Sequence, residues 1–162
     1  MTNTVSNTTS VSKAGDRAIV ITRIFDAAPS LVFRAFTDPA LIARWWGPRS
    51  LTTVVDRIEP RAGGVWRFRN HDAAGNEYGF HGVFHAVHDD RQIVRTFEFE
   101  GEPDKVSLDT TTFAPVGGNR TRVIAVSVFQ SPEDCDAMLA SGVEAGVVEF
   151  YEQLDELLRE AR

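Results

Sequence analysis

The C-terminal stretch Ser141–Glu160 is a long amphipathic segment that the rest of the fold must accommodate. Its apolar residues recur at spacings of four and three, which is typical of an α-helix with one buried stripe. The stripe comprises Val143, Val147, Phe150, Leu154, Leu157 and Ala161. The polar residues on the opposite side are Glu144, Glu149, Glu152, Asp155, Glu156 and Arg159. The sequence therefore predicts a long C-terminal helix with one face against the core.

Two helix-start signals precede this stripe. The first is Ser131–Asp134, which contains a proline and two acidic residues, and the second is Ser141 with Glu144 three residues later, which fits a capping box. Gly142 and Gly146 lower helix propensity, so we expect a helix that begins at the first signal, breaks near Gly142 and resumes. A glycine beside the buried stripe leaves room, which is either a cavity or a space filled by a bulky side chain from the sheet.

Composition limits the classes of partner. The chain has 162 residues, 43% of them hydrophobic, which fits one globular domain. Its net charge of −6 argues against nucleic acid, and no apolar run approaches the about 18 residues that span a membrane. The N-terminus lacks the features of a signal peptide, and the lone Cys135 agrees with a reducing compartment. We therefore expect a cytoplasmic protein that binds neither nucleic acid nor membrane.

The N-terminal part divides into a tail and the start of a domain. Residues 1–16 are rich in Thr, Ser and Asn without periodicity, so we expect a flexible tail before a single domain at 17–162. The β-branched run Ala18–Phe25 predicts a strand. Two short helices are expected next, one beginning at Pro29 and one capped by Asp38.

Two adjacent tryptophans, Trp45 and Trp46, end the second short helix, since Gly47 and Pro48 follow them. If only one indole packs inward, the other leaves an apolar patch of the kind that often marks a partner surface. In that case a homodimer is expected. The alternative is that both indoles cover one end of the core.

Beyond Pro48 the hydrophobic pattern changes to a period of two, which is typical of strands separated by polar turns. The predicted strands are Leu51–Ile58, Val65–His71, Tyr78–His88, Gln92–Glu100, Val106–Phe113 and Thr121–Phe129. Short connections require antiparallel neighbours, so these strands and the first form a mostly antiparallel sheet. Its apolar face needs a cover, and only the C-terminal helix is long enough. The predicted fold class is α+β.

Four stretches resemble the activator of heat-shock protein 90 ATPase homologue-like family, which belongs to the START-like or SRPBCC superfamily with the Bet v 1-like, helix-grip fold. They are FDAAPSLVFRAFTDPALIARWWGP, RAGGVWRFRN, GVFHAV and GVEAGVVEFYEQLDELL. The resemblance spans about Ala18 to Glu160 and implies a curved antiparallel sheet around the long helix, with an apolar cavity between them. The family usually has a tryptophan after the helix glycine, whereas Val147 follows Gly146 here. This departure changes the expected pocket lining and would enlarge the cavity.

Strand alternation and helix periodicity together predict which side chains form the core and the cavity wall. They are Trp66, Phe68, Tyr78, Phe80 and Phe84 on the strands and Val143, Gly146, Val147 and Phe150 on the helix. If Trp66 and Phe68 point inward, they also set which face of the predicted strand Val65–His71 is buried. We expect these residues to contact a small hydrophobic molecule.

The sequence contains no recognisable catalytic, metal-binding or cofactor-binding motif. His81 and His85 share the alternation of one strand, but four residues span ~13 Å, too far for one metal with bonds of ~2 Å. Glu98 and Asp109 lie on strands without a partner at catalytic spacing, and we expect both to point outward. We therefore identify no catalytic residue and expect no metal and no cofactor.

Three functions remain open. The first is binding of a small hydrophobic ligand in the cavity that the resemblance implies. The second is a cyclase- or hydrolase-type enzyme acting on a small apolar substrate, which would need inward polar groups with perturbed pKa values. The third is a chaperone-associated interaction protein, as the family name indicates. Against the third, we expect a single domain without the separate chaperone-docking module of the eukaryotic activators.

Overall fold

The computed structural model describes residues 8–161, which form an eight-stranded antiparallel sheet and four helices. The strands are β1 (Ser10–Ala14), β2 (Ala18–Phe25), β3 (Thr52–Ile58), β4 (Val65–His71), β5 (Glu77–His88), β6 (Gln92–Phe99), β7 (Val106–Val116) and β8 (Arg120–Val128). The helices are α1 (Pro29–Thr37), α2 (Pro39–Trp45), α3 (Pro132–Ala140) and α4 (Val143–Ala161). The predicted helix-grip fold of class α+β is confirmed.

The sheet order is β1-β2-β8-β7-β6-β5-β4-β3, and every neighbouring pair is antiparallel. The meander β3 to β8 is therefore extended by β2, which pairs with the last strand. We call the sheet face that packs toward α4 the inner face. Its fully buried side chains include Phe25, Trp66, Phe84, Phe113 and Val123. Among the described helices, none is long and apolar enough to cross a membrane.

The N-terminal segment departs from the predicted tail. Ser10–Ala14 forms β1, which pairs with β2 at the edge of the sheet, so the expectation of a tail is wrong for these residues. An edge strand gains backbone hydrogen bonds without needing an apolar pattern, and here Val11 also packs against the core. Lys13 Nζ lies 2.7 Å from Asp136 Oδ1 of α3. The part of the predicted tail at residues 1–7 lies outside the described residues.

The predicted break in the C-terminal helix is confirmed between α3 and α4. Ser131 caps α3 by accepting a hydrogen bond from the Asp134 N–H at 3.1 Å. Gly142 has a φ of +88°, a conformation that glycine adopts without steric cost. The capping box at Ser141 is wrong, because the Ser141 hydroxyl donates to the Met138 carbonyl at the end of α3 instead.

The buried stripe of α4 is strongest in its second half. Leu154 and Leu157 are buried as predicted, and Tyr151 and Leu158 join them, whereas Ala161 is exposed. Asp155, expected on the solvent side, is also buried; its Oδ2 lies 3.6 Å from Arg23 Nη2 and 2.9 Å from Arg159 Nε. The two guanidinium groups compensate the carboxylate, which explains how a charged residue fits the buried face.

Both adjacent indoles pack inward. Trp45 is buried, and its Nε1–H donates to the Ala35 carbonyl at 2.9 Å. Trp46 packs between the sheet and α4, with its ring near those of Phe68 and Phe150. Neither tryptophan therefore supplies the exposed patch that motivated the homodimer.

Candidate functional site

An aromatic cluster occupies the inner face beneath the first half of α4. The Trp46 ring centroid lies 5.1 Å from that of Phe68, 5.0 Å from that of Phe80 and 5.8 Å from that of Phe150. The Trp66 and Phe68 centroids are 4.7 Å apart. Because these rings come from β4, β5, α4 and the residue after α2, the cluster joins the sheet to the helix through aromatic contacts.

The structure brings most of the predicted wall residues to this region. Trp66 and Phe68 are buried, which confirms the predicted inward alternation of β4, and Phe84 of β5 is buried as well. The half-buried members are Phe80, Val143, Gly146, Val147 and Phe150. Of these, Phe80, Val147 and Phe150 pack directly against the core.

Tyr78 is the exception among the predicted wall residues, because it is 37% exposed near the start of β5. It lines a surface groove of about 460 Å³ rather than the aromatic cluster. The other residues of the groove are Arg67, Glu77, Gly79, Phe99, Glu100 and Gly101. Tyr78 shares the alternation of Phe80 and Phe84, but it is the second residue of β5 and lies at the end of that strand.

The position of Gly146 borders open space. A Cβ atom placed there would meet no atom within 4 Å outside the helix backbone and the neighbouring residues. Gly146 lies one turn before Phe150, and the whole first half of α4 is less buried than the second half. Of the two alternatives for the helix glycine, a cavity and a space filled by a bulky side chain from the sheet, the second is wrong, because among residues 8–161 no such side chain lies next to Gly146.

A polar group lies beside the aromatic cluster on the inner face. Arg95 of β6 is directly opposite Phe84 of β5 and Asp109 of β7. The Arg95 guanidinium carbon lies 4.2 Å from the centroid of the Trp66 ring and 5.8 Å from that of Phe68. These contacts are cation–π interactions, which a guanidinium makes while its N–H edges remain available.

Asp109 is held by hydroxyl groups. The Ser107 Oγ–H donates to Asp109 Oδ1 at 2.9 Å, and Ser127, opposite Asp109 on β8, also hydrogen bonds to the carboxylate. Within residues 8–161 the Arg95 guanidinium has neither a hydrogen bond nor an ion pair. The two opposite charges are therefore neighbours without direct contact. The expectation that Asp109 points outward is wrong.

Burial shifts the pKa values of this polar group. It lowers the pKa of Arg95 to about 10, so the guanidinium is charged at neutral pH. Burial raises the pKa of the Asp109 carboxyl, against the opposing effects of Arg95, Ser107 and Ser127. Burial also raises the pKa of the Tyr151 hydroxyl, and the charge of Asp109 adds to this effect. In all three groups, burial is the largest cause of the shift and disfavours the charged form of the side chain.

Tyr151 is the buried residue of α4 whose hydroxyl interacts electrostatically with the polar group. Its ring packs edge-on against Phe25 at 5.4 Å and lies 6.4 Å from Trp45. Its pKa responds to Asp109, Arg23 and Arg95, so these charges act electrostatically on the hydroxyl. Among the described residues the hydroxyl has no hydrogen-bond partner. The helix and the sheet thus each present one unpaired polar group to the space between them.

The histidine cluster lies on the outer face, away from this space. His81 Nδ1 is 2.8 Å from Glu100 Oε2, and His81 Nε2 is 3.4 Å from Glu98 Oε1. Glu98 therefore points outward, as predicted. Arg67 binds Glu100 through two hydrogen bonds and lowers the pKa of that carboxyl to about 2. In the part of the chain that the structure describes, no three His, Cys, Asp or Glu side chains form a group that could hold a metal.

Sequence reasoning missed Arg95 and Tyr151, although one signal for Arg95 was present. On β6 the apolar residues Ile93, Phe97 and Phe99 share the alternation of Arg95, so the arginine interrupts an otherwise apolar face. On β7 the alternation misleads, because the apolar Leu108 is exposed and its neighbour Asp109 points inward.

A curved antiparallel sheet that packs around a long, glycine-containing C-terminal helix defines the START-like, or SRPBCC, class of helix-grip proteins. Within that class, residues 26–159 match the family model described as Activator of Hsp90 ATPase homolog 1-like protein. The match covers most of the chain, so the protein belongs to this family. The resemblance stated for the sequence is thereby confirmed.

Solved structures agree with this assignment. A solution structure of an Arthrobacter aurescens protein has 28% identity and a TM-score of 0.85, with 93% of this chain and 91% of that chain covered. Protein Ms6760 of Mycobacterium smegmatis has 26% identity and a TM-score of 0.82, with coverage of 92% and 95%. A Rhodobacter sphaeroides protein has the same fold, at 24% identity, coverage of 94% and 99%, and a TM-score of 0.87. A comparison with curated proteins returns no match.

Proposed function

We propose that this protein binds a small, largely apolar molecule between the inner face of the sheet and the first half of α4. The observation that carries the proposal is the open space at Gly146, one turn before Phe150 on the helix. Aromatic rings of Trp46, Phe68 and Phe80 lie across from this part of the helix. Ligand sites of this kind are mostly apolar spaces with a few polar groups that orient the ligand.

We also propose a cytoplasmic location for this activity. Cys135, the single cysteine of the chain, is a free and fully buried thiol. A free thiol agrees with a reducing compartment, where disulfides are rare.

The test uses the neutral fluorescent probe phenylnaphthylamine and the substitution Val147→Trp. Val147 is half-buried against the core beside Gly146, so an indole there would occupy the open space. We expect the melting temperature to hold or rise and the affinity for the probe to fall. If the site is close-packed, the indole costs ~1–3 kcal/mol in forced rotamers and backbone shifts.

Ala145→Trp is the matched control, because Ala145 is exposed on the same turn of α4. We expect this variant to bind the probe as the wild type does. A wild type that bound no probe, together with a destabilised Val147→Trp variant, would contradict the proposed function.

A second candidate function is an enzyme that acts on a small apolar substrate, of the cyclase or hydrolase type. The observation that favours it is the inward Asp109 carboxyl, whose pKa is raised by burial and whose charge raises the pKa of the Tyr151 hydroxyl. Carboxyl groups tuned in this way can act as general acids or bases. This candidate predicts turnover of a chromogenic naphthyl ester that Asp109→Asn abolishes. The chaperone-associated function stays a prediction from the family resemblance.

A further inference from the structure

The Arg95 guanidinium makes no hydrogen bond and no ion pair with the described residues. Arg95 lies on one of the central strands of the sheet, with its side chain over the Trp66 ring on the face that α4 covers. Arg95 is half-buried, and its guanidinium has five N–H donors, which carboxylate or carbonyl groups normally accept from in a protein interior. In residues 8–161 no hydrogen bond or ion pair reaches these donors. These donors are therefore open to an acceptor that a ligand brings.

Asp109 does not fill this role, although it is the residue directly opposite Arg95. Its oxygens accept from the hydroxyls of Ser107 and Ser127 instead of from the Arg95 guanidinium. The aromatic ring of Trp66 covers the face of the Arg95 guanidinium at 4.2 Å. What remains available is the edge of the guanidinium, which is the part that binds planar oxyanions in a bidentate manner.

We propose that the ligand of this protein carries an acidic oxygen group, such as a carboxylate, that pairs with Arg95, while its apolar body contacts the neighbouring aromatic rings. The inference rests on the proposed function and names the chemical class of its ligand. The Tyr151 hydroxyl is the second group that can bind the acid, because α4 carries it on the buried side that faces the sheet and it has no partner in the described chain. The ligand class is thus an apolar, ring-containing acid.

The charge balance of the site agrees with an acidic ligand. The charged groups that act on one another here are Arg95, Asp109 and Arg23, with Asp155 beside Arg23. Arg23 is already compensated by Asp155, so Arg95 is the cation left for an incoming anion. Burial raises the pKa of Asp109, which lowers the cost of protonating that carboxyl when a second anion enters. Asp109→Asn should therefore strengthen the binding of an acidic ligand.

The experiment compares two probes that share one ring system, anilinonaphthalene sulfonate and the neutral phenylnaphthylamine. Affinities are measured for the wild type, for Arg95→Met, and for the control Arg122→Met, whose arginine is exposed on β8. We expect Arg95→Met to weaken the sulfonate probe by about tenfold or more and to leave the neutral probe unchanged. Arg122→Met should change neither affinity.

A second measurement on the wild type guards against a variant that does not fold. The Nε–H resonance of Arg95 should shift on addition of the sulfonate probe and stay in place with the neutral probe. If neither probe binds the wild type, the proposed function fails, and this inference with it. If the neutral probe binds, but Arg95→Met leaves the ratio of the two affinities unchanged and the resonance does not move, only the acidic ligand class is overturned.

Discussion

The Arg95 guanidinium lies 4.2 Å from the Trp66 ring centroid, on the sheet face that α4 covers. This contact places a cation on an aromatic surface instead of against a carboxylate, and it leaves the N–H edge of the guanidinium unpaired among the described residues. The same face carries Asp109 and faces the Tyr151 hydroxyl. The interior of the fold therefore combines an apolar wall with a small polar group, as ligand sites commonly do.

The two glycines of the α3–α4 region should respond in opposite directions to alanine. Gly146→Ala adds a methyl group into open space within a helix, which should stabilise the fold by ~0.5–1 kcal/mol. Gly142→Ala also meets open space, but the φ of +88° there should cost ~1–2 kcal/mol. Thermal unfolding of both variants checks the prediction. Two shifts of the same sign would contradict it.

The stability of the protein should depend on the ionisation of Asp109. Because burial raises its folded-state pKa, Asp109 favours the folded state below the unfolded-state pKa of ~3.9, and this contribution is lost as the pH rises through the folded-state value. Asp109→Asn removes this loss of stability, because the asparagine side chain does not ionise as the pH rises. We expect a higher melting temperature than that of the wild type at neutral pH, and a smaller difference near pH ~3.

Asp89→Asn, in the exposed turn between β5 and β6, is the control for this pH dependence. It should follow the wild type at both pH values. A wild type that is more stable than Asp109→Asn at neutral pH would mean that attraction between the Asp109 and Arg95 charges outweighs the cost of burying them.

Asp155 should be among the residues whose charge matters most for stability. Asp155→Asn leaves Arg23, which is buried and has an unpaired Nε, without its counter-charge, and such losses cost ~3–5 kcal/mol. The other partner gives the control: the Arg159 side chain is 58% exposed, so Arg159→Ala should cost at most about 1 kcal/mol. Urea unfolding of both variants measures the two free energies. Equal losses would show that the surface contact dominates.

Strand β1 should contribute to stability, in contrast to a flexible tail. A chain that begins at Gly15 lacks the pairing with β2, the packing of Val11 and the Lys13–Asp136 ion pair. We expect its melting temperature to fall by several degrees relative to a chain that begins at Thr8 and keeps the strand. Calorimetry measures the melting temperatures of the two truncated chains. Equal melting temperatures would contradict a stabilising role of β1 and agree with a flexible tail.

The amino-acid sequence determined the elements whose signals are local. The bounds of β2 (Ala18–Phe25) and β4 (Val65–His71) agree with the predicted strands residue for residue, because alternation and turn residues lie within the segments themselves. The break at Gly142 was predictable for the same reason, since a helix start and a glycine are read from a few neighbouring residues. The order of these elements predicted an antiparallel sheet covered by the C-terminal helix, and the family resemblance implied the helix-grip fold.

Only the tertiary structure decided the features that depend on distant partners. β1 exists because the edge of β2 offers hydrogen bonds, and Asp155 is buried because Arg23, more than a hundred residues earlier, compensates it. The inward side of β7 was equally hidden, because Leu108 and Asp109 give the strand no clear apolar face. A side chain's surroundings are set by long-range packing, and a buried charge is stable only where that packing brings its partner.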